Sequence, residues 1–308
     1  MFVTQSDFID PNGRFNLAEG MGKFMSGVNG YSLAGDIGGT KTLLGIFSED
    51  RGKITFREKK RYVSKDFSGL EDIVRAFLRE VDVAVNRRYA CFGIAGPCTA
   101  GVCRTRNLPW VVDADGISRA SGVDNVILIN DFEANVHAIS QLSAGELEVL
   151  NRGSRDPEGN VAVIGAGTGL GEAFAVYDAR FQGLRVFPSE GGHADFGPKN
   201  NDEAALWGWL KKKYGHVSCE RILSGEGLVN IYGYLASTGR YDIPASLKKA
   251  FSDSSDPAAT ISKFGLKGTP QICAKALHMF VAIYGSEAGN LALKILPYGG
   301  LYIAGGIS

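Results

Sequence analysis

The chain has 308 residues, with 33 Lys plus Arg and 33 Asp plus Glu, so its formal net charge is zero. This balance excludes a broad basic surface for nucleic acid and an acidic disordered tail. The length predicts one large or two ordinary domains, and the absence of an apolar run of 18 residues argues against a membrane span. Glycine is over-represented, with 41 residues in short groups between apolar runs, which indicates tight turns where backbone segments approach closely.

The cysteines and the N-terminus bear on the compartment. The odd number of cysteines, without a CxxC pair, favours buried free thiols in a reducing compartment over a disulfide set or a zinc site. Residues 1–30 lack a continuous apolar segment, so we expect a loose N-terminal extension rather than a secretory signal. The protein is therefore expected to be cytoplasmic. The five cysteines are Cys91, Cys98, Cys103, Cys219 and Cys273.

Hydrophobic patterning predicts alternating strands and helices in an α/β order, β-β-β-α-β-α, followed by a second strand pair and a helical region. The predicted strands are 31–35, 43–47, 53–63, 89–94, 126–129, 161–164 and 301–304. The predicted helices are 69–85, about 131–140, 203–214, 220–236, 245–252 and 270–296.

A strand, a glycine turn and another strand occur together twice, at 36–42 and 165–171, which predicts a duplicated α/β unit with a cleft between its halves. Neither turn fits the dinucleotide fingerprint GxGxxG or the Walker A pattern. Consecutive backbone amides in such turns can bind anionic oxygens, and Thr40 and Thr168 add hydroxyl donors. Asp36 is placed to hold a hydrated Mg²⁺ beside phosphates. The alternative for each turn is an ordinary glycine hairpin.

Polar residues outside the turns form a second set of candidates. Asn130 and Asp131 follow an apolar strand and begin a helix, so they are either an N-cap or polar groups at the ligand-binding edge of a sheet. Glu190 and His193 surround another glycine turn, where they could bind the vicinal hydroxyls of a sugar. Glu220 is expected at a helix start, where the helix dipole alone explains a carboxylate.

Seven segments in order resemble the bacterial-type glucokinase family, the non-ROK branch of the actin/sugar-kinase superfamily. The segments are 35–42, 92–97, 129–132, 163–171, 189–196, 215–225 and 299–307. The resemblance implies an α/β fold of two ribonuclease H-like (actin/hexokinase-type) domains with an interdomain cleft: a small domain at 31–141 and a large domain at 142–308. Family members continue into a C-terminal return helix, which is expected to be missing from a chain that stops at Ser308. The cysteine-rich zinc motif of the ROK branch is absent, so no structural metal is expected.

The resemblance also implies an activity, the first step of glycolysis: transfer of the γ-phosphoryl of ATP to the 6-hydroxyl of glucose. The cofactors implied are ATP and Mg²⁺, with Asp36 holding the metal through water, and the assembly implied is a homodimer. Asp131 would be the general base. The residues implied to hold the other hydroxyls are Asn130, Glu190, His193 and Glu220. The residues implied to bind nucleotide are Gly35, Asp36, Ile37, Gly38, Gly39, Thr40, Gly167, Thr168, Gly169, Gly305 and Gly306.

Three alternatives remain open on the sequence. One is a related hexose or N-acylhexosamine kinase, or a kinase that uses polyphosphate or ADP as phosphoryl donor. Another is a non-catalytic, sugar-responsive regulator, although no helix-turn-helix pattern or basic recognition surface is found. The third is a truncated product that folds and binds glucose without turnover.

Overall fold

The computed structural model describes residues 31–50, 53–81, 85–105, 108–180 and 182–307. The predicted N-terminal extension at 1–30 lies outside the described residues. The chain divides into two compact units. The first covers 31–148 with Tyr177–Val186, and the second covers Val149–Val176 with 187–307.

Each predicted strand and helix is present. The structure also contains elements that the sequence did not predict: strands at Cys98–Thr99, Val102–Arg104, Val111–Asp113 and Gly183–Ser189, and helices at Ala114–Ser121 and Pro257–Leu266. The strands are β1 (Tyr31–Ile37), β2 (Lys41–Asp50), β3 (Lys53–Val63), β4 (Val85–Ile94), β5 (Cys98–Thr99), β6 (Val102–Arg104), β7 (Val111–Asp113), β8 (Asn125–Asn130), β9 (Val161–Ala166), β10 (Leu170–Asp178), β11 (Gly183–Ser189) and β12 (Gly300–Ala304). The helices are α1 (Leu70–Glu80), α2 (Ala114–Ser121), α3 (Asp131–Ile139), α4 (Asn201–Tyr214), α5 (Gly225–Ser237), α6 (Ala245–Ser252), α7 (Pro257–Leu266) and α8 (Gln271–Ile295).

The first unit is built on a five-stranded sheet in the order β3-β2-β1-β4-β8. β1, β2 and β3 form antiparallel pairs, whereas β1, β4 and β8 run parallel. The apolar stripe of α1, which includes Ile73, Val74 and Phe77, packs in one core with Leu33 and Leu44 of the sheet. This burial explains the 3.6-residue spacing of apolar residues in α1.

The second unit repeats this arrangement. Its sheet has the order β11-β10-β9-β12, with β9 antiparallel to β10 and parallel to β12. Within β10 and β11, the residues that fall in Tyr177–Val186 belong to the first unit. The order matches β3-β2-β1-β4 of the first unit, so the predicted α/β class and the duplication are confirmed. The sheet and the helices α4, α5 and α8 share one core, with Leu206, Leu228 and Phe280 among its buried members.

Two predicted helix boundaries were wrong. The helix predicted at 69–85 ends at Glu80, because Val81 adopts an extended backbone. The helix predicted at 220–236 begins at Gly225, because the Ser224 side chain caps it by accepting from the Gly227 amide. A separate 3₁₀ turn, Cys219–Arg221, precedes it and carries Glu220.

The expectation that all five cysteines are free thiols was also wrong. Cys98 and Cys103 form a disulfide. They are directly opposed across the β5–β6 hairpin, whose two loop residues, Ala100 and Gly101, both have positive φ. Such a tight turn brings residues five apart in sequence face to face, which an odd cysteine count does not exclude. The remaining cysteines are free, and Cys219 and Cys273 are buried as expected.

Within the described part of the chain, no helix combines the length and the apolar character needed to cross a bilayer.

Candidate functional site

The first glycine turn connects β1 to β2. The Gly38 amide closes the turn on the Lys41 carbonyl at 2.9 Å, and the Ser64 hydroxyl donates to the Gly38 carbonyl at 2.8 Å. Among the described residues, the Gly39 and Thr40 amides donate to no other backbone group. Because Thr40 is exposed, the tip of the turn presents two amides and a hydroxyl, the donor set that phosphate oxygens accept.

Asp36 is the penultimate residue of β1, just before this turn. Protein packed around its carboxyl raises the pKa of Asp36 by desolvation, although the residue retains exposed surface. No group of three or more His, Cys, Asp or Glu side chains that could hold a metal by itself is found within the described ranges. A single carboxylate still fits Mg²⁺, which keeps most of its waters and takes its other ligands from substrate phosphates.

Asp131 shares a sheet edge with the first turn. β1, β4 and β8 are parallel, and Ile37, Ile94 and Asn130 are partners in one row of the sheet. Ile37 and Asn130 are therefore two strand spacings, or about 10 Å, apart. Asp131 follows directly as the first residue of α3. The sheet thus brings the first turn, Asp36 and Asp131 to the carboxyl edge of its parallel strands, where α/β folds bind ligands.

Asn130, rather than Asp131, is the N-cap of α3. Its Oδ1 accepts from the Phe132 amide at 2.9 Å and the Glu133 amide at 3.4 Å, and its Nδ2 donates to the Gly96 carbonyl at 3.2 Å. Asn130 is 8% exposed. These bonds fix the strand-to-helix junction and with it the backbone that carries Asp131.

The second glycine turn, Gly167 to Gly169, connects β9 to β10. The Gly167 amide donates to the Gly169 carbonyl at 2.8 Å, and the Gly225 amide donates to the Gly167 carbonyl at 2.9 Å. Thr168 at the tip is exposed. These backbone hydrogen bonds therefore hold the base of the turn, while its tip is exposed to solvent.

Glu190, His193 and Glu220 converge beside this turn. His193 Nε2 lies 3.6 Å from Glu190 Oε2, and His193 Nδ1 lies 3.8 Å from Glu220 Oε1. The three side chains are 51%, 33% and 29% exposed, in the order Glu190, His193 and Glu220. Glu190, His193 and Glu220 thus form a partly exposed group of two carboxylates and an imidazole, called the polar cluster below. Such a group suits the vicinal hydroxyls of a sugar.

Glu220 also contacts the second turn directly. Its Oε2 accepts from the Leu170 amide at 3.0 Å, and a Cβ at Gly169 would overlap with this oxygen. One carboxylate therefore belongs both to the polar cluster and to the glycine turn. Asp195, the other acid of this segment, instead pairs with His216 at 2.8 Å.

Gly305 lies against the end of β9. Its φ of +95° and its close approach to the Ala166 carbonyl leave no room for a Cβ, and the Ile307 amide donates to the same carbonyl at 3.2 Å. The predicted nucleotide segments at 167–169 and 305–306 are thus neighbours in the second unit.

Sequence reasoning missed Tyr284, in the middle of α8. Its hydroxyl accepts from the Ala166 amide at 3.0 Å and lies 3.2 Å from the Ile164 carbonyl and 3.3 Å from the Ala304 carbonyl. It joins the ends of β9 and β12 just before the two predicted nucleotide segments. A tyrosine in an apolar helix gives no sequence signal for this role.

Comparisons with known proteins identify the family. The family model described as Glucokinase matches residues 33–308. The glucokinase of Nostoc sp. is 40% identical over 290 residues, which cover 90% of this chain and 84% of that protein. The glucokinase of Synechocystis sp. is 39% identical over 302 residues, covering 90% and 83%.

A solved structure shows the same architecture. The crystal structure of a glucokinase from an Antarctic psychrotroph superposes with a TM-score of 0.74 at 32% identity, covering 91% of this chain and 84% of that one. The match confirms the predicted actin/hexokinase-type fold. Because the family model and these relatives span most of the chain, the protein belongs to the glucokinase family.

Proposed function

We propose that this protein is an ATP-dependent glucokinase that transfers the γ-phosphoryl of ATP to the 6-hydroxyl of glucose. The observation that carries the proposal is the convergence of Glu190, His193 and Glu220 beside the second glycine turn. In this arrangement sugar-binding groups and a phosphate-binding turn are adjacent within one unit.

The polar cluster recognises the sugar ring. Carboxylate oxygens of Glu190 and Glu220 accept from ring hydroxyls, and His193 can donate or accept. A sugar that lacks one of these hydroxyls would leave a desolvated group unpaired, and this penalty provides discrimination. Asn130 contributes by holding the junction before Asp131, with its Oδ1 already engaged by backbone amides.

The two glycine turns and Asp36 bind the triphosphate and offset its negative charge. Phosphoryl transfer requires in-line positioning and neutralisation of the phosphate oxygens, with little other chemistry from the protein. The amides at the turn tips donate to these oxygens, and Gly305 and Gly306 face adenosine. Mg²⁺, when bound, neutralises phosphate charge, and Asp36 would hold it through water.

Asp131 acts as the general base on the 6-hydroxyl. Its position as the first residue of α3 places it at the sheet edge that also carries Asp36 and the first turn. Asp131→Asn keeps the shape of the side chain but removes the acceptor for the proton, so kcat should fall by about 10²- to 10⁴-fold while glucose binding is retained.

The test measures ADP release with ATP and Mg²⁺ across a panel of hexoses and N-acylhexosamines, and with polyphosphate or ADP as alternative donors. Asp124→Asn is the matched control, because Asp124 is an exposed acid just before the opposite end of β8. Turnover of wild type with glucose and ATP, lost in Asp131→Asn and kept in the control, supports the proposal. Near-normal turnover of Asp131→Asn would show that the base is another group, and glucose binding without turnover by wild type would identify a non-catalytic protein.

The proposal includes a cytoplasmic location and a homodimer. The cytoplasmic location rests on the cysteine pattern and the N-terminal residues, and the homodimer rests on the family resemblance. Light scattering during size-exclusion chromatography measures the mass of the assembly, and a monomer at assay concentrations would overturn the second expectation.

A further inference from the structure

Glu172 of β10 is a buried acid next to the polar cluster but outside it. The residue is 2% exposed, and within the described part of the chain its Oε1 has no hydrogen-bond partner. Its other oxygen lies against the α-carbon of Gly191, where a Cβ would overlap with it. Gly191 begins the 3₁₀ turn Gly191–His193, between the predicted sugar ligands Glu190 and His193. The carboxyl group of Glu172 therefore packs directly against this turn.

The charged and titratable groups around Glu172 come from two other elements. Glu287, Lys294 and Tyr284 lie on α8, and Cys219 lies on the 3₁₀ turn that also carries Glu220. Glu287 is 7% exposed and accepts from Asn290 at 2.9 Å. Lys294 lies 3.8 Å from Glu287, so this cation is already paired with the second acid.

These surroundings oppose a negative charge on Glu172. Burial and the neighbouring charge of Glu287 raise the pKa of Glu172 to about 7, with Lys294 acting in the opposite direction. An ionised carboxylate needs donors or water at both oxygens. Among the described residues Oε1 has no donor, and the side chain is buried, so solvating the ion requires the packing around the carboxyl group, which includes Gly191 against the other oxygen, to open.

We propose that Glu172 is a positioning residue that supports the Gly191–His193 turn as a neutral carboxylic acid, and that its ionisation displaces the turn and weakens glucose binding. The neutral form fits the contact with Gly191 and keeps His193 at its distances from Glu190 and Glu220. The inference rests on the proposed function, because it assumes that these three residues hold the sugar.

The test is calorimetric titration of the full chain with glucose, without nucleotide, from pH 6 to pH 8. If only the neutral form binds, the apparent Kd rises as the neutral fraction falls, by about tenfold between these limits for a group that titrates near pH 7. Glu172→Gln mimics the neutral acid and cannot ionise, so the Kd of this variant for glucose should change by less than twofold between pH 6 and pH 8. The ratio of the Kd values of the two proteins at each pH isolates the contribution of Glu172. Glu158→Gln, at an exposed acid, is the control and should follow wild type.

A second variant tests the cause and does not require substitution of Glu172. Glu287→Gln removes the charge that disfavours ionisation, so the midpoint of the Kd profile should move to lower pH. A Glu172→Gln profile that parallels wild type, or a Glu287→Gln midpoint that stays or moves to higher pH, overturns the inference alone. Wild type that binds no glucose at any pH overturns the proposed function instead.

Discussion

Replacing Tyr284 with Phe removes one hydroxyl that connects two strand ends in the second unit. The Ala166 amide donates to this hydroxyl at 3.0 Å, and the residue is only 8% exposed. In the variant the buried amide loses its partner and water has little access to replace it. An orphaned buried donor costs about 1–3 kcal/mol, so the free energy of unfolding of the second unit should fall by that amount.

The same substitution should affect nucleotide binding more than sugar binding. Ala166 immediately precedes the second glycine turn, and Ala304, whose carbonyl lies 3.3 Å from the hydroxyl, immediately precedes Gly305. If the variant loses about 1 kcal/mol of its free energy of nucleotide binding, KM for ATP rises on the order of fivefold. The distances that join His193 to Glu190 and Glu220 do not involve this hydroxyl, so the affinity for glucose should stay near that of wild type.

Urea unfolding followed by tryptophan fluorescence measures the first effect, since Trp207 and Trp209 both lie in the second unit. Tyr298→Phe is the control, because Tyr298 is 65% exposed. Desolvation raises the pKa of Tyr284 to about 12, so the hydroxyl stays protonated and the difference should be the same at pH 6.5 and pH 8.5. Equal unfolding free energies for Tyr284→Phe and the control would refute the reasoning, as would a rise in KM for glucose with KM for ATP unchanged.

Three further predictions concern the acidic residues. Glu220→Gln removes a charged acceptor, so KM for glucose should rise on the order of tenfold; steady-state kinetics with unchanged KM would exclude Glu220 from the sugar site. Asp36→Asn should raise the Mg²⁺ concentration needed for half-maximal turnover and leave calorimetric glucose binding unchanged, whereas an unaltered Mg²⁺ dependence would remove Asp36 from the metal site. The pKa of Glu172 is raised to about 7 in the folded chain from an ordinary value of 4.5. Between these pH values the native state therefore keeps a proton that the unfolded state has lost, so the free energy of unfolding falls as the pH rises. Above pH 7 Glu172→Gln should therefore exceed wild type by up to about 3 kcal/mol in unfolding free energy, with the gap closing near pH 4.5; a gap of equal size at pH 5 and pH 8 would show that charge is not its cause.

Patterns that depend on local sequence predicted much of the fold. The two glycine turns, the strand pairs around them and the helix periodicity of 70–80 require only near neighbours, and the structure has all of them. The repeat of the turns was sufficient to predict the duplicated unit. Resemblance to a family added the fold of the two halves, which the solved structure confirms, because seven ordered segments are more specific than any single glycine turn. The site residues that the resemblance implies stay predictions.

Features that depend on tertiary contacts were not accessible from the sequence. The disulfide needs the β5–β6 hairpin to oppose Cys98 and Cys103, and the two strands are too short to be recognised by alternation. The roles of Tyr284 and Glu172 depend on atoms more than 15 residues away in sequence, at Ala166 and Gly191. The position of Glu220 on a 3₁₀ turn instead of a helix start follows from the cap at Ser224.

Glu220 explains why sugar and nucleotide binding should be coupled in the second unit. One oxygen of its carboxylate accepts from the Leu170 amide at the end of the second glycine turn, and the other faces His193 in the polar cluster at 3.8 Å. Under the proposed function, a sugar hydroxyl that binds Glu220 would fix the carboxylate and, through the Leu170 amide, the turn that would receive the phosphates. A triphosphate that orders the turn would fix the same carboxylate for the sugar. Because coupling between two binding sites is reciprocal, the factor by which glucose strengthens nucleotide binding must equal the factor by which nucleotide strengthens glucose binding, and Glu220 is a side chain that both proposed sites share.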